Sequence, residues 1–422
     1  MVKVFVVLDG IGDRSCKQLG GATPLEAAKT KNLNYFASNS NGGYVYSLNE
    51  QIAPESDEAI MALLGYDPHK YYYGRGPLEA YGSGMNFKNG NLALRTNFST
   101  IENGRLIDRR AGRTLTTKES QELAKAINEN VKLDFPFEFK ATVGHRGVLM
   151  FKGEFSDNIT NVDPAYKKVG KFGVAVTSHI DKLEDCRPLD PNKNTKVSAA
   201  LINEFVKQSQ EILSKHPINI KRKNNYLLPA NVIVPRDAGN TLPELPPRKG
   251  WTAVVSMPLE VGITKLAGMN VIKFEYPEMK SKDVYDNLFK GLKLTIKESI
   301  KAIKEGNSKN YFIHFKETDI PGHDNRPKEK KKMIELIDKK FFKFLRKKVD
   351  DLELVVTGDH STPCELKSHT SDSVPLIHYN LKLEKKDDVQ RFTEHECLEN
   401  GSYGKILGKN VLKTVGFIKT EE

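Results

Sequence analysis

Near its C-terminal end the chain reads Leu352-Glu353-Leu354-Val355-Val356-Thr357-Gly358-Asp359-His360-Ser361-Thr362-Pro363. Leu352, Leu354, Val355 and Val356 form an apolar run the length of one buried strand. The run stops abruptly at Asp359-His360, and His369 follows after a short loop. A carboxylate and two imidazoles just past a buried strand are metal-ligand types at the carboxyl edge of a sheet. Two distant segments repeat the pattern. Lys3 to Leu8 ends in Asp9, and Tyr311 to Phe315 runs into Glu317, Asp319 and His323. A single Asp after a strand means little, because Asp is a common loop residue. Three such strand ends, two of them with histidine, are explained together by one metal site.

The rest of the chain supplies the frame. Thr23-Pro24-Leu25-Glu26 has an N-cap, a proline at the first helical position and a capping-box glutamate. Tyr44 to Ser47 reads as a strand, and Ser56 to Gly65 as a helix entered from a loop. From Tyr66 the texture changes. Gly74-Arg75-Gly76-Pro77 reads as a turn, and Asn91 to Ile101 and Arg105 to Asp108 as a hairpin around Asn103-Gly104. Thr116 and Glu119 cap a helix to about Asn130, residues 137–143 and 148–151 form a strand pair, and Val197 to Lys215 is an amphipathic helix. Strands then alternate with helices again: Val232 to Val234, Thr252 to Val255, Val271 to Phe274 and 311–315. That alternation predicts the α/β class, a doubly wound parallel sheet covered on both faces. Residues 1–65 and 226–422 are expected to form this discontinuous domain, with 66–225 as an inserted α+β domain.

With 422 residues the chain is too long for one compact core. No apolar run reaches bilayer-spanning length, and Met1 to Leu8 is too short for a signal peptide. Cys16, Cys186, Cys364 and Cys397 lack CxxC spacing, which fits free thiols in a reducing cytoplasm. The net charge of +11 raises the question of nucleic acid. However, Lys328 to Lys348 alone holds ten basic and three acidic residues. There Met333, Ile334, Ile337, Phe341, Phe344 and Leu345 recur at helical spacing, so the charge reads as the outer face of an amphipathic helix. Neither a nucleic-acid partner nor a membrane is expected; the partner is a small molecule, and oligomeric state is not legible.

The ligand inventory is Asp9, Asp319, His323, Asp359, His360 and His369, with Ser56 as a seventh candidate. These are too many for one tetrahedral zinc and suit two adjacent divalent ions. Carboxylate and imidazole without thiolate favour Mn²⁺, with Zn²⁺, Co²⁺ or Mg²⁺ also compatible. Ser56 reads either as a helix N-cap or as a nucleophile whose phosphate ester would meet free N–H groups and the positive end of the helix dipole. Asp108-Arg109-Arg110-Ala111-Gly112-Arg113 packs three arginines around a glycine and suits bidentate binding of phosphate or carboxylate. The residues themselves lead to a two-metal enzyme acting on a phosphate or sulfate ester through a serine ester.

Asp9-Gly10, Pro54 to Ala59, Leu64-Gly65-Tyr66-Asp67-Pro68, Gly74 to Ala80, Asp108 to Arg113, Asp319-x-x-Gly322-His323, and Gly358 to Pro363 with His369-Thr370 occur in this order over nearly the whole chain. Together they resemble the archaeal-type cofactor-independent phosphoglycerate mutases of the alkaline phosphatase superfamily. The resemblance implies an alkaline-phosphatase-like domain with an inserted substrate domain. It also implies interconversion of 3- and 2-phosphoglycerate without bisphosphoglycerate. Carried over by residue, Asp319, His323 and His369 would hold one metal, and Asp9, Ser56, Asp359 and His360 the other. Ser56 would accept and return the phosphoryl group. Arg109, Arg110 and Arg113 would orient the glycerate, with Arg75, His145, Arg146 and Lys316 as further candidates. Glu55, the Lys316-Glu317-Thr318 run and Gly144-His145-Arg146-Gly147 depart from the family pattern, and none of these departures removes a ligand. The competing readings are a phosphatase or phosphonate-cleaving relative that shares every ligand, a regulatory protein with a vestigial site, and a nucleic-acid binder.

Overall fold

The computed structural model describes residues 1–176, 182–277, 283–383 and 385–419. Its strands are β1 (Val2–Leu8), β2 (Asn41–Tyr46), β3 (Leu92–Glu102), β4 (Arg105–Asp108), β5 (Phe137–Ala141), β6 (Arg146–Phe151), β7 (Tyr166–Val169) and β8 (Phe172–Ala175). They continue with β9 (Val232–Gly239), β10 (Trp251–Val255), β11 (Asn270–Lys273), β12 (Asn310–Phe315), β13 (Leu352–Gly358), β14 (Val374–Asn380) and β15 (Lys405–Leu407). The larger sheet has the order β11-β10-β12-β1-β13-β14-β2-β15. Its centre is parallel: Leu8 pairs with Phe315 on one side and Gly358 on the other. The three strand ends singled out in the sequence are therefore neighbours, finishing at one level.

Burial explains why these strands occupy the centre. Val4, Phe5, Val6 and Val7 of β1 and Leu354, Val355 and Val356 of β13 are fully buried, as expected for strands covered on both faces. Each such side chain contributes about 1.5–3 kcal/mol relative to an exposed one. Helices Pro258–Leu266, Val284–Glu305 and Pro327–Ile337 pack against this sheet. The last belongs to the lysine-rich segment. Met333, Ile334, Ile337, Phe341 and Leu345 face the core as expected. The helix expected there runs on through a π turn, Asp338–Phe342, to Leu345. Lys330 departs from the solvated-face reading: it is 0% exposed.

The sheet is not wholly parallel, because β14 runs antiparallel to both β13 and β2. The smaller sheet is β4-β3-β6-β5, and β9 pairs antiparallel with β3. The strand from Val232, expected to rejoin the larger sheet, thus stays with the smaller one through Gly239. It has its own apolar core, with helices Thr117–Asn130 and Lys193–Lys215 against it. The first carries the expected Thr116–Glu119 capping box. Gly74 to Pro77, expected as a turn, instead opens the helix Arg75–Gly82. An added Cβ at Gly76 would lie 2.0 Å from the Ala93 carbonyl oxygen, so the glycine permits this helix to sit against β3. Among the described residues no helix is long and apolar enough to cross a membrane.

Candidate active site

Asp9 follows β1, Asp319 follows β12, and Asp359 and His360 follow β13. Gly10 makes the turn after Asp9 with φ +58°, and an added Cβ there would lie 2.7 Å from Asp319 Oδ1. His369 arrives on the loop after β13, its ring stacked on that of His360 with centroids 3.7 Å apart.

Two donor groups result. In one, Asp319 Oδ2 lies 3.3 Å from His323 Nε2 and Asp319 Oδ1 lies 3.6 Å from His369 Nε2. The turn Asp319–His323 sets its spacing, since residues four apart share a helix face. In the other, His360 Nε2 lies 3.3 Å from Asp9 Oδ1, 3.5 Å from Asp359 Oδ2 and 3.4 Å from Ser56 Oγ. Thr362 links the groups: its hydroxyl donates to Asp319 Oδ1 at 2.8 Å and lies 3.1 Å from His360 Nδ1. A proton on that nitrogen leaves Nε2 of His360 with its lone pair toward Asp9 and Ser56.

Ser56 is the first residue of the helix Ser56–Leu63, and Glu55 is the N-cap. Glu58 accepts the Glu55 N–H at 2.9 Å, as a capping-box glutamate does. The serine hydroxyl is thus free of capping, and Lys316 Nζ donates to it at 3.1 Å.

Three further residues, none of them among the candidate ligands or substrate-binding groups, shape this pocket. His314, inside the apolar run of β12, points Nε2 toward Asp9 Oδ2 and Asp359 Oδ2 at 3.8 and 3.7 Å. Glu260, in the first turn of Pro258–Leu266, lies 3.6 Å from His314 Nδ1 and 3.3 Å from Lys316 Nζ. Glu55 lies 3.2 Å from His369 Nδ1, a nitrogen that also meets the Pro54 carbonyl at 2.9 Å. A histidine in the middle of a strand is the one sequence signal for the first, Glu55 stands out only as a departure from the family pattern, and nothing local marks Glu260.

Burial and repulsion from Asp359 push the Asp9 carboxyl well up, against the pull of Lys316. Burial also opposes ionisation of Asp359, but the positive charges of His314 and Lys316 hold it below the usual carboxylate range. Burial lowers His360 to about 3, so its imidazole is neutral. Burial works against protonation of His314, but Asp359 and Glu260 outweigh it and raise the ring to about 9. Lys316 is raised by Asp9 and Glu260 despite burial.

The donor set fits divalent cations. Asp9 Oδ1 and Asp359 Oδ2 are buried without a hydrogen-bond donor, although buried carboxylate oxygens ordinarily have one. Donor atoms of Asp319, His360 and His369 lie within 4.8 Å of one another; those of Asp9 and Asp359 gather as closely beside His314, whose raised ring supplies charge there rather than a ligand. Carboxylate and neutral imidazole without thiolate are ligands for borderline or hard divalent ions.

A cleft of about 1070 Å³ opens beside these groups, with Glu55, His323 and His369 on one side and Arg109, Arg110 and Arg113 on the other. The three arginines differ. Arg109 is paired with Asp163 through Nε at 2.8 Å, and Arg113 grips both oxygens of Asp324 at 2.6 and 2.5 Å. Arg110 has no carboxylate partner among the described residues. Burial, Arg113 and Arg109 lower its guanidinium to about 10. Burial and the charge of Arg146 and Arg110 likewise push His145 well down. Among the described residues the Arg146 guanidinium meets the Met257 sulfur, at 3.5 Å. Arg75 is 8% exposed and bound to Glu79 at 2.6 Å, away from the cleft lining.

An α/β sheet that brings two carboxylate–imidazole groups and a helix-terminal serine to one edge, facing a cleft of arginines, defines an enzyme class that handles phosphorylated small molecules. The comparisons with known proteins agree. Residues 37–219 match the family model described as 2,3-bisphosphoglycerate-independent phosphoglycerate mutase. A protein of that name from Aeropyrum pernix is 36% identical over 96% of this chain and 96% of its own length. One from Pyrococcus furiosus is 38% identical over 97% and 95%. Among solved structures, a Pyrococcus horikoshii protein superposes with TM-score 0.75 at 27% identity over 100% of this chain and 99% of its own. A cofactor-independent phosphoglycerate mutase from Thermoplasma acidophilum gives 0.57 at 29% over 99% of each. The chain belongs to the family of 2,3-bisphosphoglycerate-independent phosphoglycerate mutases.

Proposed function

We propose that this protein interconverts 3-phosphoglycerate and 2-phosphoglycerate without bisphosphoglycerate, with Ser56 as the nucleophile. The observation that carries this reading is the setting of Ser56 Oγ. It lies at a helix N-terminus, 3.1 Å from Lys316 Nζ and 3.4 Å from His360 Nε2, in a chain similar over its length to named mutases. Asp319, His323 and His369 would hold one divalent ion, and Asp9, Ser56, Asp359 and His360 a second. Mn²⁺ is favoured over Zn²⁺, Co²⁺ or Mg²⁺. Such ions lower the pKa of a hydroxyl and neutralise a transferring phosphoryl group.

The chain's own groups then act as follows. Lys316 donates to Ser56 Oγ and stabilises the charge that develops when the hydroxyl proton leaves. Ser56 Oγ takes the phosphoryl group as the bond from phosphorus to the C3 oxygen breaks, the serine proton ending on the released C3 hydroxyl, and the free N–H groups of its helix turn face the new ester. The glycerate turns in the cleft, and the group passes to the C2 oxygen as the phosphorus–Oγ bond breaks, the C2 hydroxyl proton returning to Ser56 Oγ. Arg110, which lines the cleft, holds the glycerate's anionic groups, whereas His145 and Arg146 stand outside the cleft lining; Arg109 and Arg113 shape the cleft through Asp163 and Asp324. Closing the cleft keeps water from the serine ester. Four free, buried cysteines support a cytoplasmic setting.

The test is 3-phosphoglycerate turnover coupled to enolase without bisphosphoglycerate, with and without chelator, with phosphate release followed in parallel. Chelator-sensitive 2-phosphoglycerate formation with little free phosphate is expected. Phosphate release without mutase activity would instead make the site that of a hydrolase.

A further inference from the structure

Behind the site lies a cluster that the reaction outlined above does not use. Lys330, in Pro327–Ile337, has no exposed surface. Its ammonium donates to Asp13 Oδ2 at 2.8 Å, to the Thr362 carbonyl at 3.1 Å and to the Gly12 carbonyl at 3.3 Å. Asp13 also accepts the Cys364 N–H at 3.0 Å, and its own N–H donates to Glu394 at 3.1 Å. Donor atoms of Asp13, Cys16 and Cys364 gather within 4.8 Å, which by itself suggests a third cation site. Lys330 already supplies the positive charge there, so the cluster reads as an internal ion pair.

What the ammonium ties together is specific. Gly12 is three residues beyond Asp9. Thr362 is two beyond His360, and its hydroxyl bonds Asp319 and meets His360. Lys330 itself is on the helix that follows the Asp319–His323 turn. One buried ammonium thus joins the three strand-end segments that deliver the carboxylate and imidazole candidates, and the Thr362 N–H closes the link on the Gly12 carbonyl at 2.9 Å. We propose that Lys330 is a positioning residue whose ammonium sets the spacing between the two donor groups by clamping the Gly12 and Thr362 carbonyls. This rests on the two-cation reading of the site. Outer partners that orient ligands typically change metal affinity about 10–100-fold when removed.

Lys330→Met alone leaves Asp13 buried and unpaired and is expected to destabilise the fold, so the decisive variant is Asp13→Asn/Lys330→Met, which removes both charges. Wild type and double variant are titrated with Co²⁺, reading the visible d–d bands, and are compared in thermal melts and in kcat and KM. The double variant is expected to melt close to wild type, to bind at least one Co²⁺ about 10-fold more weakly with altered bands, and to lose kcat with little change in KM. Wild-type Co²⁺ affinities and spectrum in the double variant would overturn the proposal. So would failure of the double variant to fold, which would make the pair a folding element. If wild type itself binds fewer than two Co²⁺, the two-cation reading fails first and takes the proposal with it; that outcome is seen in the wild-type titration alone.

Discussion

Lys316→Met removes an ammonium that lies 2.6 Å from Asp9 Oδ2, 3.3 Å from Glu260 and 3.1 Å from Ser56 Oγ. The lysine side chain is 17% exposed and that of Asp9 0%, so water screens the pair poorly. Taking one partner from a buried ion pair costs about 3–5 kcal/mol. Glu260 retains His314, and Asp9 is already pushed toward its neutral form by burial, so the lower end, about 3 kcal/mol, is expected without metal. Losing a preorganised donor at the nucleophile costs about 10²–10³ in kcat. Guanidinium unfolding of metal-free protein gives the first number and the enolase-coupled assay the second. A stability loss below ~0.5 kcal/mol together with kcat within about threefold of wild type would refute the role given to this ammonium.

Three further outcomes are expected. Arg110→Ala removes the one cleft arginine of the three without an acidic partner. It should raise KM by 10-fold or more, about 1.5–3 kcal/mol for a charge-assisted contact, and barely move the melting temperature. Arg109→Ala should instead destabilise the fold, because it leaves the buried Asp163 with only the more distant Arg236, at 3.9 Å, as a cationic partner among the described residues; equal effects of the two variants on KM and melting would contradict the distinction. Burial raises the Glu394 carboxyl to about 7, against hydrogen bonds from Thr23 and the Asp13 N–H. A raised acid binds its proton more tightly in the folded state, so this stabilisation is complete below about pH 4.5 and is lost as pH rises to about 7, amounting to ~3 kcal/mol at most. Glu394→Gln should flatten the fall in unfolding midpoint between about pH 5 and about pH 8, and an unchanged slope would contradict the assignment.

Periodicity and residue type made the centre of the fold legible. Buried parallel strands read as continuous apolar runs, and a polar break at their carboxyl ends marks the face where ligands collect, so Asp9, Asp319 and Asp359 stood out. Allegiance of strands to sheets was less visible. The run at Val232 is apolar enough for either sheet, and only its pairing with β3 assigns it. The antiparallel direction of β14 also leaves no mark in composition. Long-range polar partners were the least legible. Glu260, Glu55 and Lys330 sit on helices or at a helix start, where charged residues are ordinarily solvated, and their burial follows from segments tens to hundreds of residues away. Among the arginines no local feature separates Arg110 from Arg109 and Arg113, because Asp163 and Asp324 come from distant loops.

The central claim is that Ser56 carries the phosphoryl group between the two glycerate oxygens. It is tested most directly by mixing enzyme with 3-phosphoglycerate labelled in its phosphate, quenching in acid during turnover and mapping the labelled peptide. Label on the peptide containing Ser56, and none in Ser56→Ala protein that still binds metal, is the result predicted. Formation of labelled 2-phosphoglycerate by wild type with no label on that peptide, or undiminished turnover by Ser56→Ala, would contradict it.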